Sequence, residues 1–387
     1  MFVDIRIRRT FDMSGGNISI AESELRRRII TPSQFVADPS AFIDVHLPRS
    51  SGKTSFSFIG AGVTQNDQAQ TNLVEPHGFC VGAAGLKPGM INNFHLHYTA
   101  EVFVCVTGTW KMMIGLDKQQ EVVIKPGDFF SVPTWVFRGF ENIGTDDGFM
   151  FAFLGGDEPG GILWAPEVLD KARETGFALD ESEKVTRLAD LPPGAKTLRS
   201  LPSEIVSQVE TYSDAEIDSR VVRFAGRDWQ DHALLSAVVP GHGNRVAPVI
   251  GIGLNQHRRP NTAISYPHGF SVNWLSIDES ASVGSHQLGA AAALLTMDSQ
   301  IEIELGSDKP ARMTVPPRSV VSLPANEWRD IKNIGSGPAE VVIAVGGEGR
   351  TLVQWSPEII EAAARHGFTV DAGGCIAPRA LVDRNFG

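Results

Sequence analysis

Ile59-Gly60-Ala61-Gly62-Val63-Thr64-Gln65 returns later in the chain as Ile250-Gly251-Ile252-Gly253-Leu254-Asn255-Gln256, at an offset of 191 (250 − 59). The same shift carries Pro76-His77-Gly78-Phe79 onto Pro267-His268-Gly269-Phe270 and Asn142-Ile143-Gly144 onto Asn333-Ile334-Gly335. It also carries Pro133 onto Pro324, Arg138 onto Arg329, and Trp164-Ala165-Pro166-Glu167 onto Trp355-Ser356-Pro357-Glu358. A single register that runs from 58–180 onto 249–371 without a net gap is a tandem duplication, so two copies of one structural unit are expected. The chain then divides into an arm at 1–57, a first unit with its helix at 58–180, a crossover with lead-in strands at 181–248, a second unit with its helix at 249–371, and a tail at 372–387.

Within a copy the pattern is mostly strand. Glu101-Val102-Phe103-Val104-Cys105-Val106-Thr107 closes on Gly108, and Glu121-Val122-Val123-Ile124 leads into the turn residues Pro126-Gly127-Asp128. Gly148 to Leu154 is an apolar run of strand length that stops at Gly155-Gly156. Each copy ends in one helical stretch. Pro166 stands at its first position, Val168, Leu169 and Ala172 form its stripe, and Gly176 is its stop; the second copy repeats the design from Pro357 to Gly367. Short strands separated by turns, then one helix, predict an all-β pair of small barrels and not a βαβ fold. Either irregular arm could supply a strand to the other barrel or to a second subunit.

A chain of 387 residues with 42% hydrophobic residues can bury two cores. Its net charge of −11 argues against a nucleic-acid or anionic-membrane binder, both of which need a basic face. No apolar run is long enough for a membrane span, and Met1 to Met13 lacks the apolar core of a signal peptide. Three cysteines (Cys80, Cys105 and Cys375) do not suggest a disulfide framework, and a cytoplasmic protein with reduced thiols is expected.

The chemistry concentrates between Gly89 and Gly108, in Asn92-Asn93-Phe94-His95-Leu96-His97-Tyr98-Thr99-Ala100-Glu101. On a strand, His95 and His97 share a face about 6–7 Å apart, whereas an unbroken strand would carry Glu101 about 13 Å further. The three converge only if the chain turns near 98–100, which the sequence suggests as a hairpin. Two imidazoles and a carboxylate then form a facial set suited to Fe(II), Mn(II), Ni(II) or Zn(II).

This spacing, Gly-x5-His-x-His-x3-Glu-x6-Gly, resembles the first cupin motif, and Gly127-Asp128 through Pro133 and Arg138 to Asn142 resembles the second. The resemblance implies tandem double-stranded β-helix barrels, a bicupin. Pro133-x-Trp135 is most similar to the gentisate and salicylate ring-cleaving dioxygenases, which implies an iron enzyme for hydroxylated aromatic acids. One departure stands out: Arg138 occupies the place of a metal-binding histidine, and a guanidinium stays protonated and cannot ligate. In the second copy His95 maps onto His286, but His97 maps onto Leu288 and Glu101 onto Ala292, leaving a unit without a ligand set.

The expected function is a metal-dependent, dioxygenase-like oxidoreductase acting in the first barrel on a small carboxylated substrate, aromatic if the subfamily resemblance holds. His95, His97 and Glu101 would ligate the metal, Fe(II) first among the candidates. Arg138 would be catalytic and grip the substrate carboxylate by its planar fork, and Tyr98 and Trp135 would line the pocket. The alternatives are a cupin lyase or isomerase, and a metal-free small-molecule binder in which Glu101 pairs with Arg138. His77 and His268, present in both copies, read as turn residues, and Cys105 as core. A homodimer or larger even oligomer is expected, because apolar segments such as Phe42-Ile43-Asp44-Val45 need cover.

Overall fold

The computed structural model describes residues 22–116 and 119–383; the N-terminal stretch read for a signal peptide lies outside them. Each repeat folds into two facing sheets. In the first unit a seven-stranded sheet runs in the order Val221–Val222, Phe129–Val132, Glu101–Thr107, Gly148–Gly155, Phe79–Leu86, Thr54–Ile59, Thr71–Leu73. A five-stranded sheet runs Ile162–Trp164, Ile91–His97, Arg138–Asn142, Trp110–Ile114, Gln120–Ile124. The second unit repeats both sheets, with Phe270–Ile277 and Ala339–Gly346 central in the larger and Arg329–Asn333 central in the smaller. Among the described residues, strand pairs are antiparallel except Thr54–Ile59 with Thr71–Leu73, and isolated parallel bridges include Ile250 with Ile264 and Gly253 with Arg350. This is the expected all-β tandem double-stranded β-helix, and the helices Pro166–Glu174 and Pro357–Arg365 close the two units as read from their prolines.

Period-2 alternation explains why the large sheets are so apolar. Along Glu101–Thr107, Phe103 and Cys105 face the interior of their own unit against Trp110, Met112 and Phe140. Val102, Val104 and Val106 face the other way, into a second core shared with Phe270, Val272 and Trp274 of the second unit. The two large sheets therefore pack back to back, and a strand buried on both faces reads as one apolar run.

The lead-in arms lock this arrangement. Ile29–Ile30 pairs with Val320–Val321 of the second unit, and Val221–Val222, after the first unit, pairs back onto Phe129–Phe130. Of the partners left open by the sequence, the other barrel is the one found. His77 and His268 follow the same reciprocity. Each donates through Nδ1 to a local carbonyl and receives a hydroxyl at Nε2, His77 from Ser322 (3.0 Å) and His268 from Ser131 (2.6 Å). They are ties between the units as well as turn residues.

Two expectations are corrected. The chain does turn between His97 and Glu101, but no hairpin forms, because Ile91–His97 and Glu101–Thr107 lie in different sheets. The chain crosses from one sheet to the other, so strand ends meet without pairing edges. The apolar run at 42–45 needs no second subunit for cover, since Ile43 packs under Trp164, Val168 and Leu169 of its own unit.

Candidate metal centre

His95 and His97 project from Ile91–His97 into the first unit, and Glu101 meets them from the start of the next strand. One ligand atom from each lies within 4.8 Å of the others, and all three side chains are buried. His95 donates Nδ1–H to the Asn93 carbonyl at 2.7 Å, and His97 donates Nδ1–H to the Gly161 carbonyl at 3.3 Å. Tying Nδ1 to a carbonyl fixes the tautomer and leaves the Nε2 lone pair free. His97 Nε2 stands 3.8 Å from Glu101 Oε1. Burial, and then the nearby Arg138 charge, hold both imidazoles well below the usual histidine range, so both are neutral donors.

Arg138 lies directly across the ladder from His95. Its Nη2 and Nε donate to Glu101 Oε2 at 3.0 and 3.3 Å, while Nη1 is buried with no hydrogen-bond partner. Burial pushes the Glu101 carboxyl up, and the guanidinium opposes that shift. The fork expected to hold a substrate is therefore engaged by Glu101 through Nε and Nη2, and Nη1 keeps both of its N–H donors unused. The donor set itself fits a divalent transition ion: two neutral imidazoles with free Nε2 atoms, and a carboxylate whose Oε1 lies on their side while Arg138 holds the other oxygen.

A cavity of about 90 Å³ opens beside these groups, walled by Phe42, Phe56, Phe103 and Phe140 and reaching His95, His97 and Glu101. Small residues keep it open. Gly82 and Ala84 stand where the second unit has Asn273 and Leu275, and Leu275 packs with Leu288 and Ala292 into a filled core. His286 is buried there with its Nδ1 on the Gly284 carbonyl, and Arg329 braces the carbonyls of Pro324 and Glu327. The group of His95, His97 and Glu101 is the one metal-competent cluster among the described residues.

Tyr98 and Trp135 do not join the cavity wall. Tyr98 follows an inward-facing histidine and so points outward, and Trp135 sits in a left-handed turn (φ 57°). Their half-exposed rings pack on each other at the surface, 5.2 Å between centroids. Cys105 is inert core, its thiol pushed up to about 12 chiefly by burial.

The alternation rule missed one residue. A β-bulge between Arg138 and Phe140 slips the ladder, so Asn92 pairs with Phe140 and joins His95, three positions on, in lining the cavity. Gly139 is the trace this leaves in the sequence, because a Cβ there would stand 2.9 Å from the Asn92 carbonyl oxygen.

Residues 84–153 match the family described as Cupin domain. Among solved structures, an oxalate decarboxylase superposes on 86% of this chain and 78% of its own, with a TM-score of 0.53 at 13% identity. Bacillus subtilis oxalate decarboxylase at pH 4.6 gives a TM-score of 0.52 at 13% identity over the same shares. Residues 84–153 thus carry a cupin domain, and the chain has the two-unit fold of these structures. No curated protein matches the sequence. Both of these structures are decarboxylases, and the gentisate and salicylate likeness has no counterpart in them.

Proposed function

We propose that the first unit of this bicupin binds a divalent transition metal on His95, His97 and Glu101 and is an enzyme for a small substrate that enters the adjoining cavity. The observation that carries this reading is the fixing of both Nδ1–H groups on backbone carbonyls, which leaves two Nε2 atoms and Glu101 Oε1 grouped as donors. A bound ion would supply Lewis-acid polarisation and open positions for substrate or O₂. The chain's own residues then divide the remaining work. His95, His97 and Glu101 hold the ion and Arg138 orients Glu101 through Oε2; Arg138 stands behind Glu101, outside the cavity lining, and its unpartnered Nη1 is the donor assigned to a substrate carboxylate. The phenylalanine wall excludes water and selects a compact substrate. Manganese and iron both suit such a set, and the oxalate decarboxylase of similar fold is a protein with Mn(II) centres. The finer reading is a dioxygenase-like oxidoreductase acting on a small carboxylated compound, with a lyase or isomerase as the alternative; O₂ consumption separates them.

The Arg138–Glu101 pair favours a second reading, a metal-free small-molecule binder. Elemental analysis of the purified protein decides between the two. A transition metal in the unmodified protein that is lost in His95→Ala supports the enzyme. Tight metal binding that appears only in Arg138→His, which restores the usual cupin histidine, supports the binder. A homodimer or larger even assembly is part of the proposal and is read by light scattering.

A further inference from the structure

The two units are near copies, and only one has the donor set, so differences between them around His95 point to what that set requires. In the first unit the segment under His95 rests on a buried ion pair. Lys53 pairs with Asp44 and donates to Asn92 Oδ1, with its ammonium 4.7 Å from the centre of the Phe42 ring. Lys53 is 3% exposed and Asp44 0%. Asp44 Oδ2 accepts the Asn93 backbone N–H at 3.1 Å, at the bulge, and the Asn93 side chain at 3.3 Å. The Asn93 carbonyl is the group that receives His95 Nδ1–H, and Asn92 Nδ2 stands 3.2 Å from the same Nδ1.

The second unit keeps the frame and omits the charges. Gln65 receives Ile43 N–H and Trp164 Nε1–H; Gln256 receives Leu235 N–H and Trp355 Nε1–H, which aligns Ile43 with Leu235 and the next residue, Asp44, with Ser236. Lys53 aligns with Asn244 at the repeat offset. The ion pair of the first unit is thus a neutral hydrogen bond in the second, Asn244 Nδ2 to Ser236 Oγ at 3.1 Å. Val283 replaces Asn92, and the backbone N–H of Gly284, equivalent to that of Asn93, is held instead by the half-buried Asp330 at 2.8 Å. A fold that stands on a neutral pair does not need a buried ion pair, and burying two charges is a poor source of stability.

We infer that Asp44 and Lys53 are positioning residues for the donor set. Asp44 pins the bulge at Asn93, whose carbonyl takes the His95 Nδ1–H, and Lys53 neutralises Asp44 in the buried site; together they hold the His95 ring with Nε2 toward the cavity. This deepens the metal reading and rests on it for its purpose, but the positioning itself exists in the metal-free protein and is measurable there.

The test uses Asp44→Ser/Lys53→Asn, which transplants the pair found in the second unit but leaves the Asn93 N–H without an acceptor, since Gly139 stands where the second unit has Asp330. In metal-free protein, ¹⁵N shifts of the imidazoles should show one His95 tautomer, Nδ1–H, in the unmodified chain and a mixture in the double variant, with His286 unchanged as internal control. Titration with Mn(II) alone should show affinity weaker by roughly 10–100-fold in the double variant, the range for lost outer partners of a ligand. An unaltered His95 tautomer together with unaltered Mn(II) affinity overturns the inference. If the double variant does not fold, Asp44→Leu/Lys53→Met, an apolar pair of similar volume, decides on the same two readouts. If the unmodified protein binds Mn(II) no better than His95→Ala, the metal reading fails, and the tautomer readout still decides whether the positioning is real.

Discussion

Glu101 and Arg138 set the electrostatics of the site between them. Both are buried, and each is the charge that compensates the other. Glu101→Gln leaves the guanidinium with a neutral partner, and we expect a loss of about 3 kcal/mol in urea unfolding together with loss of metal binding. Unchanged stability would mean that other groups satisfy Arg138. His286 offers a cleaner titration, away from the donor set. Burial, with Arg329 adding to it, lowers its pKa to about 3. Because the folded value lies below the ordinary value near 6.5, the unfolded chain binds the extra proton between them; the stability this contributes is present above about pH 6.5 and is lost as pH falls toward 3. Stability should therefore drop on acidification, and His286→Leu should remove up to about 1.4 kcal/mol per pH unit of that slope. A slope in the variant equal to that of the unmodified protein would exclude His286 as a contributor.

The exchanged arms show how little strand is needed when its side chains are well placed. Ile29–Ile30 is only two residues long, yet Ile29 packs in the core of the second unit and Ile30 in the core between the units. Opposite faces of one short element thus join both bodies. Ile29→Ala should cost about 2–5 kcal/mol and should speed amide exchange at Val320 and Val321, its ladder partners. Exchange protected as in the unmodified chain would show that the edge stands without the arm. Elements also explain the site. The crossing between sheets at 98–100 brings Glu101 to the histidines, and the bulge opposite Gly139 turns Asn92 to their side.

The whole molecule behaves, on this architecture, as one folding body. The core between the units takes Phe79, Val104 and Phe153 from the first and Phe270, Trp274 and Val342 from the second, and neither large sheet can expose that face to water cheaply. Scanning calorimetry should give a single transition whose calorimetric and van't Hoff enthalpies agree. Two resolved transitions would show that the units melt apart despite the exchanged strands. The asymmetry between the units is also a property of this scale: one interior is filled by leucine, isoleucine and valine, and the other is kept open by Gly82 and Ala84.

The repeat offset, the His-x-His-x3-Glu spacing and the prolines that open the two helices were all legible in the chain, because each is a local pattern held by backbone periodicity or covalent spacing. The degenerate second site was legible too, since Leu288 and Ala292 carry no donor atoms in any conformation. The position of Asn92 was not, because a bulge inverts alternation and nothing within that strand announces it. Nor was the partner of Arg138, which depends on two sheets meeting at one end. The outward turn of Tyr98 and Trp135, the exchange of the arms, and the support of His95 by Asp44 and Lys53, some 40 to 50 positions upstream, follow from long-range packing. Those contacts exist only once the sheets have closed, and it is closure that removes water and gives buried charges their force.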